Sequence, residues 1–445
     1  MIYINKKGGN MIKYGYEGLE IVRSKIGSTE LKEKGKNSVN DFTRKRKMDF
    51  EKLIHYILNR RGLSTIMEIN NFFNKIGENI DMSAQSLLEQ RLKLNPEVFI
   101  ELNREYLEVF YKKYKDTDVK TYKGYILKAI DGSDFEIPNT KKSRDEFGRV
   151  QGTAGESIPR ASVSMCYDVL NEYVIDVIPE KYRTGEIEMA KKHIKKDEEI
   201  TNDYESIYIM DRNYVSLDFI NFFEKNGKNF LCRMKNSYYK KEISEMKSND
   251  EIIEIKHTKD RLNKKHTKGR KPNKKNKFTK VRIIKYILST GEEEYLITNV
   301  KDFNYDEIIE IYAKRWNIET AYFSLKSKLQ IERFTSSNGI IIRQDIYASV
   351  LVYNMIQTMK NEAKEEIQQN NYKHEMKINE NVAIGLFKNE MIYILLETNE
   401  NKRLERYDKL SKKMLKYKIP IRKDRNYKIA PRILNQNSYN KLKGY

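Results

Sequence analysis

A mixed α/β layer fold is the architecture this sequence predicts, and three changes of pattern predict it. Residues from about 40 to 115 carry a helical period. Residues 124–235 switch to short apolar runs that alternate with amphipathic stretches, in the order strand, hairpin, helix, strand, helix, strand. Beyond residue 301 two long helical patterns return.

The length of 445 residues is ample for a sizeable core and suggests more than one domain. The expected layout is a helical N-terminal domain over 1–115, a layered core over 120–235 and 301–365, a β-rich insertion with a basic loop over 236–300, and a basic C-terminal region over 366–445. In the first segment, "DFEKLIHYILNRRG" and "STIMEINNFFNKIG" both end in a glycine stop, and "MSAQSLLEQRLKLNP" is capped by Ser83 and stopped by Pro96. Short helices separated by a turn are compatible with a helix-turn-helix presenting Gln85, Gln90 and Arg91 to DNA, and equally with a plain helical bundle.

In the core, "GYILKAIDGSDFEI" predicts a buried strand running into Asp131 and a glycine-containing turn. "ASVSMCYDVLNEYVIDVIP" predicts two strands joined tightly at Leu170-Asn171-Glu172. The helix "GEIEMAKKHIKK", the strand "SIYIM" ending at Asp211, the helix "LDFINFFEKNG" and the strand "NFLCRMK" follow. Catalytic groups in α/β folds commonly lie just beyond strand ends, which singles out Asp131 and Asp211.

The strands "EIIEIKH", "KVRIIKYIL" and "EEYLITNV" then enclose a run with twelve Lys/Arg and one acid, Asp260. Such a run suits a solvated loop and suits phosphate neutralisation, two compatible readings. The C-terminal tail, dense in Lys, Arg and Tyr, reads as a DNA-contacting or dimerising segment or as an exposed basic terminus.

With 85 Lys+Arg against 64 Asp+Glu the chain carries +21, which favours a polyanionic partner, discounted for a general bias towards Lys, Asn, Ile and Tyr. Cys166 and Cys232 form no CxxC pair, so neither a disulfide framework nor a thiolate zinc site is indicated. The five histidines have no metal-ligand spacing. The start "MIYINKKGGN" lacks an apolar signal region and the apolar runs fall short of a membrane span, so a cytoplasmic location without membrane partners is expected.

The chemistry concentrates in "YAKRWNIETAYFSLKSKLQ", residues 312–330. At about 100° per residue, Tyr312, Arg315, Glu319 and Lys326 fall within roughly one 60° sector. Ile311, Ile318, Ala321, Tyr322, Leu325 and Leu329 form a core-facing stripe on one side of it, and Trp316 with Phe323 closes the other. Ordinary i,i+4 pairing, Glu319 with Arg315 foremost, accounts for charges on a wet surface. Charges between two apolar flanks instead call for strong partners such as a metal ion or phosphates.

Asp131, Asp211 and Glu319 together offer three hard oxygen ligands suited to Mg²⁺, and two such ions roughly 3.5–4 Å apart would serve phosphodiester chemistry. Asp134, Asp168 and Asp176 lie in similar sequence and compete for the assignment. Arg315 can grip a phosphate bidentately, Lys326 offers a point charge and the Tyr312 hydroxyl a hydrogen bond, which together point to nucleic-acid cleavage.

Tyr312, Arg315, Glu319 and Lys326, spaced as Tyr-x2-Arg-x3-Glu-x6-Lys, resemble the YREK signature of the insertion-sequence-four family of bacterial DDE transposases. "AIDGSDFEIP" resembles that family's first-aspartate block, "MDRNY" its "DRGY" second-aspartate block, and "YLITNV" the strand before its final helix, so the likeness spans roughly residues 40 to 360.

The resemblance implies an RNase H-like mixed-sheet catalytic core interrupted by the β-rich insertion, with a helical N-terminal domain that binds the element's end. It implies Asp131, Asp211 and Glu319 as a catalytic triad holding two Mg²⁺ ions, for which Mn²⁺ could substitute, and Tyr312, Arg315 and Lys326 as DNA contacts. Its activity would be metal-dependent DNA cleavage and strand transfer at inverted-repeat ends, with a hairpin intermediate, by a homodimer on double-stranded DNA at the bacterial nucleoid. An RNase H-like nuclease without strand transfer and a non-catalytic DNA-binding regulator are the alternatives.

Asn213 replaces the usual glycine of "DRGY" and is expected to supply a left-handed turn. Arg212 and Tyr214 read as site-wall or packing residues, and Trp316 as a base-stacking residue or, beside Phe323, a packing one.

Overall fold

A computed structural model describes residues 14–421 except 45, 152–156, 259–260, 262–277, 289, 369 and 371. Most of the basic loop and the tail beyond Ile421 therefore lie outside the described residues. The chain forms two compact units: one from the described parts of Met1–Val119, Phe135–Ala161 and Phe323–Tyr445, the other from Lys120–Asp134 and Ser162–Tyr322.

The strands in chain order are β1 (Tyr125–Glu136), β2 (Arg149–Gln151), β3 (Ser157–Asp168), β4 (Tyr173–Lys181), β5 (Glu205–Met210), β6 (Asn229–Met234), β7 (Asp250–Lys256), β8 (Phe278–Ile287) and β9 (Glu293–Thr298). In the second unit they build a mixed sheet in the order β3-β1-β5-β6-β9-β8-β7, with β4 also paired to β3. β1 and β5 are parallel, as are β5 and β6, while β6-β9, β9-β8 and β8-β7 are antiparallel. The strands expected to form an insertion thus continue the sheet, joining it through β9.

Ile126 through Ile130 of β1 are all buried, as befits a central parallel strand covered on both faces. Lys128 sits in that run, fully buried, and is satisfied by Asp197 and by Thr201 Oγ1 at 2.6 Å, with the Tyr208 hydroxyl also donating to Asp197 at 2.7 Å. The β3–β4 connection closes on Asp168, whose Oδ1 accepts from the backbone N–H of Leu170 and Asn171, both at 3.0 Å, and Glu172 takes the positive φ of 64° that the tight turn needs.

The first unit is predominantly helical. Its long helix Gly339–Gln368 packs against helices Tyr14–Ile26, Phe50–Asn59 and Glu97–Glu108. Gln90 and Arg91 cannot present themselves to DNA. Both are buried, and Arg91 donates to Gln344 Oε1 at 2.9 Å, Thr335 Oγ1 at 2.5 Å and Asp345 Oδ1 at 2.6 Å. Arg60 shares Asp345 at 2.5 Å, so one buried carboxylate neutralises two guanidinium groups. Among the described residues no helix is long and apolar enough to cross a membrane.

Candidate active site

Parallel register brings the two aspartates level. Tyr125 pairs with Glu205 and Ala129 with Ile209, and continuing the ladder by two residues sets Asp131 beside Asp211. Neighbouring strands lie roughly 4.8 Å apart, so the carboxylates feel each other. β5 ends at Met210, and Asp211 opens the following turn by accepting the Asn213 backbone N–H on Oδ1 at 2.7 Å. Asn213 is not among the residues with positive φ, so the turn forms without the left-handed conformation expected of it.

Glu319 arrives on a segment that is not one uniform helix. An Asn304–Glu307 capping box starts helix Tyr305–Ala313, a 3₁₀ turn occupies Lys314–Trp316, helix Asn317–Phe323 follows, and Ser324–Lys328 is π-helical. The even angular spacing assumed from the sequence therefore breaks. Tyr312 and Arg315 are buried, whereas Trp316 and Glu319 are exposed. Trp316 is 57 % exposed and Phe323 53 %, so neither is a packing residue. The Arg315 guanidinium lies 4.8 Å from the Trp316 ring centroid, within cation–π range.

Arg315 joins the acids. Its Nη2 donates to Glu319 Oε1 at 3.0 Å while Nη1 stands 3.7 Å from Asp131 Oδ2. The same helix is fastened to β1 by Tyr322, whose hydroxyl contacts the carbonyls of Asp131 at 3.0 Å and Val163 at 2.8 Å. Lys326 belongs to the other unit, where it stands 3.6 Å from Glu332 and 4.8 Å from the Phe135 ring centroid. Arg212 is exposed.

Burial pushes the Asp131 carboxyl up to about 6; the Gly132 N–H and Arg315 oppose the rise, and the Asp211 and Glu186 carboxylates add to it. Glu186 was not singled out by the sequence. It begins helix Glu186–Thr201 and its carboxyl is also raised, by burial and by Asp211 and Asp134. An acidic first turn reads as ordinary helix-end complementarity, so only its spatial neighbours reveal it.

Two competing aspartates are consumed structurally. Asp168 closes the hairpin, and Asp176 accepts from His193 Nδ1 at 2.7 Å. His193 Nε2 lies 3.1 Å from Ser164 Oγ, which in turn is 3.4 Å from the Asp131 carbonyl. Although Ser, His and Asp stand in hydrolase order, Ser164 and His193 are fully buried, and the chain of bonds holds β1 rather than attacking a substrate.

Among the described residues no three acidic, histidine or cysteine side chains stand together closely enough to hold a metal ion as they are arranged. The donor set nevertheless fits a hard divalent cation. It is all carboxylate oxygen, and Asp131, raised first by burial and further by the Asp211 and Glu186 carboxylates, stands where a dication's charge would favour its ionised form. The buried hydroxyls of Tyr214 and Tyr312 and the Arg315 Nε have no hydrogen-bond partner among the described residues, which leaves donors for a bound group.

A carboxylate pair on adjacent parallel strands, with an arginine reaching a third acid, suits a hard divalent cation and phosphoryl chemistry, and the family comparison supplies the class. The transposase DDE domain matches residues 122–355, more than half of the chain, and the chain belongs to that family: it is a DNA transposase. It is similar to the transposase InsG for insertion sequence element IS4 of Escherichia coli (strain K12), 22% identical over 327 residues that cover 70% of this chain and 70% of that protein. It is also similar to the piggyBac transposase in its synaptic complex with hairpin DNA, with a TM-score of 0.44 and 10% identity over 90% of this chain and 86% of that one.

Proposed function

We propose that this transposase binds the terminal inverted repeats of an insertion sequence, cleaves DNA there and joins the freed end to target DNA through Asp131, Asp211 and Glu319. The observation that carries the reading is Arg315, which reaches Glu319 at 3.0 Å and Asp131 at 3.7 Å, beside an Asp131 level with Asp211. The strand order β4-β3-β1-β5-β6, antiparallel hairpin first and parallel pair after, supports an RNase H-like core. The helical N-terminal domain and the basic C-terminal region read from the sequence are kept with it, while β7–β9 continue the core sheet.

Asp131, Asp211 and Glu319 would hold the Mg²⁺ ions, which when bound supply Lewis-acid stabilisation of the attacking and leaving oxygens. In the first reaction a water oxygen attacks phosphorus, the P–O3′ bond breaks and a 3′-hydroxyl is released. In the second that hydroxyl attacks a target phosphorus and the target's 3′ oxygen leaves. Arg315, with Nε unpaired among the described residues, and the buried Tyr312 hydroxyl hold the phosphate through both exchanges. Lys326 and exposed Arg212 add backbone contacts, and exposed Trp316 offers a ring to a splayed base. Two ends must be cut and joined together, which calls for a homodimer on DNA.

Asp131→Asn, Asp211→Asn and Glu319→Gln should each abolish Mg²⁺-dependent cleavage of inverted-repeat DNA while DNA binding persists in a gel-shift assay. Retained cleavage in any of them removes that residue from the set. Cleavage without end joining, when target duplex is supplied, would reduce the activity to that of a nuclease.

A further inference from the structure

Resting on the catalytic reading above, we propose that Glu186 is a further carboxylate ligand of the divalent cation held by Asp131 and Asp211, and that the Tyr214 hydroxyl hydrogen-bonds a water on that cation. No residue pattern marked Glu186. The placement comes from the fold: the parallel ladder sets Asp131 and Asp211 level, and Glu186 is the first residue of helix Glu186–Thr201. A Cβ built on Gly132, the residue after Asp131, would meet Glu186 Oε1 at 3.4 Å, so the carboxylate rests on the backbone of the catalytic strand.

Three features distinguish Glu186 from an ordinary helix-end acid. It has no hydrogen-bond or ion-pair partner among the described residues, although it is half-buried and its field reaches Asp131, Asp211 and Asp134. A half-buried carboxylate beside other carboxylates is costly unless a cation joins them. The Tyr214 side chain is 1 % exposed, its hydroxyl has no hydrogen-bond partner among the described residues, and Glu186, Asp131 and Asp211 are the acids closest to it electrostatically. Such an orphaned donor needs an acceptor that a bound, hydrated ion would supply. Finally, Glu186 lines a cavity of about 440 Å³ together with Gly132 and Asp134, so its carboxylate is open to solvent and to ions. Glu319, by contrast, is already paired to Arg315.

The test uses the full chain and Mn²⁺ alone, titrated by electron paramagnetic resonance of the free ion, with melting measured in EDTA and in saturating Mn²⁺. Glu186→Gln should weaken Mn²⁺ binding at least about tenfold, as loss of a metal-site group does. It should also raise the metal-free melting temperature, because a repelling charge is gone. Tyr214→Phe should weaken Mn²⁺ severalfold.

Wild-type Mn²⁺ affinity in Glu186→Gln, with binding impaired in Asp131→Asn, overturns this inference and leaves the catalytic reading standing. Wild-type affinity in both overturns both. A lowered metal-free melting temperature in Glu186→Gln would mark a structural role and equally overturn the inference.

Discussion

The Tyr322 hydroxyl lies 3.0 Å from the backbone carbonyl of Asp131 and 2.8 Å from that of Val163, so one side chain on the Glu319 helix clamps β1 and β3 at the level of the first aspartate. The clamp acts on the backbone and leaves the Asp131 carboxylate available. Tyr322→Phe keeps the ring and removes both contacts, leaving Ser164 Oγ at 3.4 Å on the Asp131 carbonyl, at a cost of about 1–3 kcal/mol. Urea unfolding should show that loss. DNA cleavage, assayed where the variant is still fully folded, should fall at least about tenfold, because misplacement of a reacting group is expensive. Wild-type cleavage by a folded Tyr322→Phe protein would show that the clamp serves stability alone.

Arg315 makes a second, independent prediction. Its fork reaches Glu319 and approaches Asp131, a geometry that a lysine ammonium cannot reproduce. Arg315→Lys retains charge and should nevertheless lose at least about tenfold in cleavage, with gel-shift affinity falling less. Equal losses in affinity and cleavage would make Arg315 a simple phosphate contact.

Much of this candidate site was legible because its acids stand where the chain changes period. Asp131 and Asp211 end apolar runs, and Glu319 sits at a fixed helical spacing from Arg315. The core order of strand, hairpin, helix, strand, helix, strand appears as β1, β3–β4, β5 and β6 with the two helices between. What was not legible depends on distant partners. Glu186 reaches Gly132, the residue after Asp131, only in the folded chain, and buried Arg91 finds its anion in Asp345, 254 residues away. Trp316 and Phe323 are both exposed, on the helix side away from the stripe of Ile311, Ile318, Ala321, Tyr322, Leu325 and Leu329, so reading them as an apolar flank overweighted their residue type against their position.

Asp345 is the electrostatic centre of the helical unit. Although burial alone would raise its carboxyl, Arg60 and Arg91 hold it below the usual carboxylate range. Asp345→Asn leaves two buried guanidinium groups without their anion and should cost about 3–5 kcal/mol. Thermal melting checks it. A change within half a kcal/mol would mean that water reaches the cluster.

His55 adds a pH dependence of its own to the same unit. It is buried in helix Phe50–Asn59, its Nε2 has no hydrogen-bond partner among the described residues, and burial, with Arg23 adding to it, pushes its pKa down to about 4. The unfolded imidazole binds its proton near 6.5, so between those values the unfolded chain holds more protons and stability falls as pH falls. At about 1.4 kcal/mol per unit this amounts to roughly 3 kcal/mol across the window. His55→Leu removes the titration. Its melting temperature relative to the wild type should therefore climb as the buffer goes from pH 7 to pH 4.5, whatever the packing difference at neutral pH. Parallel melting curves for the two proteins across that range would show that His55 is protonated in the fold, with water or a neighbouring acceptor reaching Nε2.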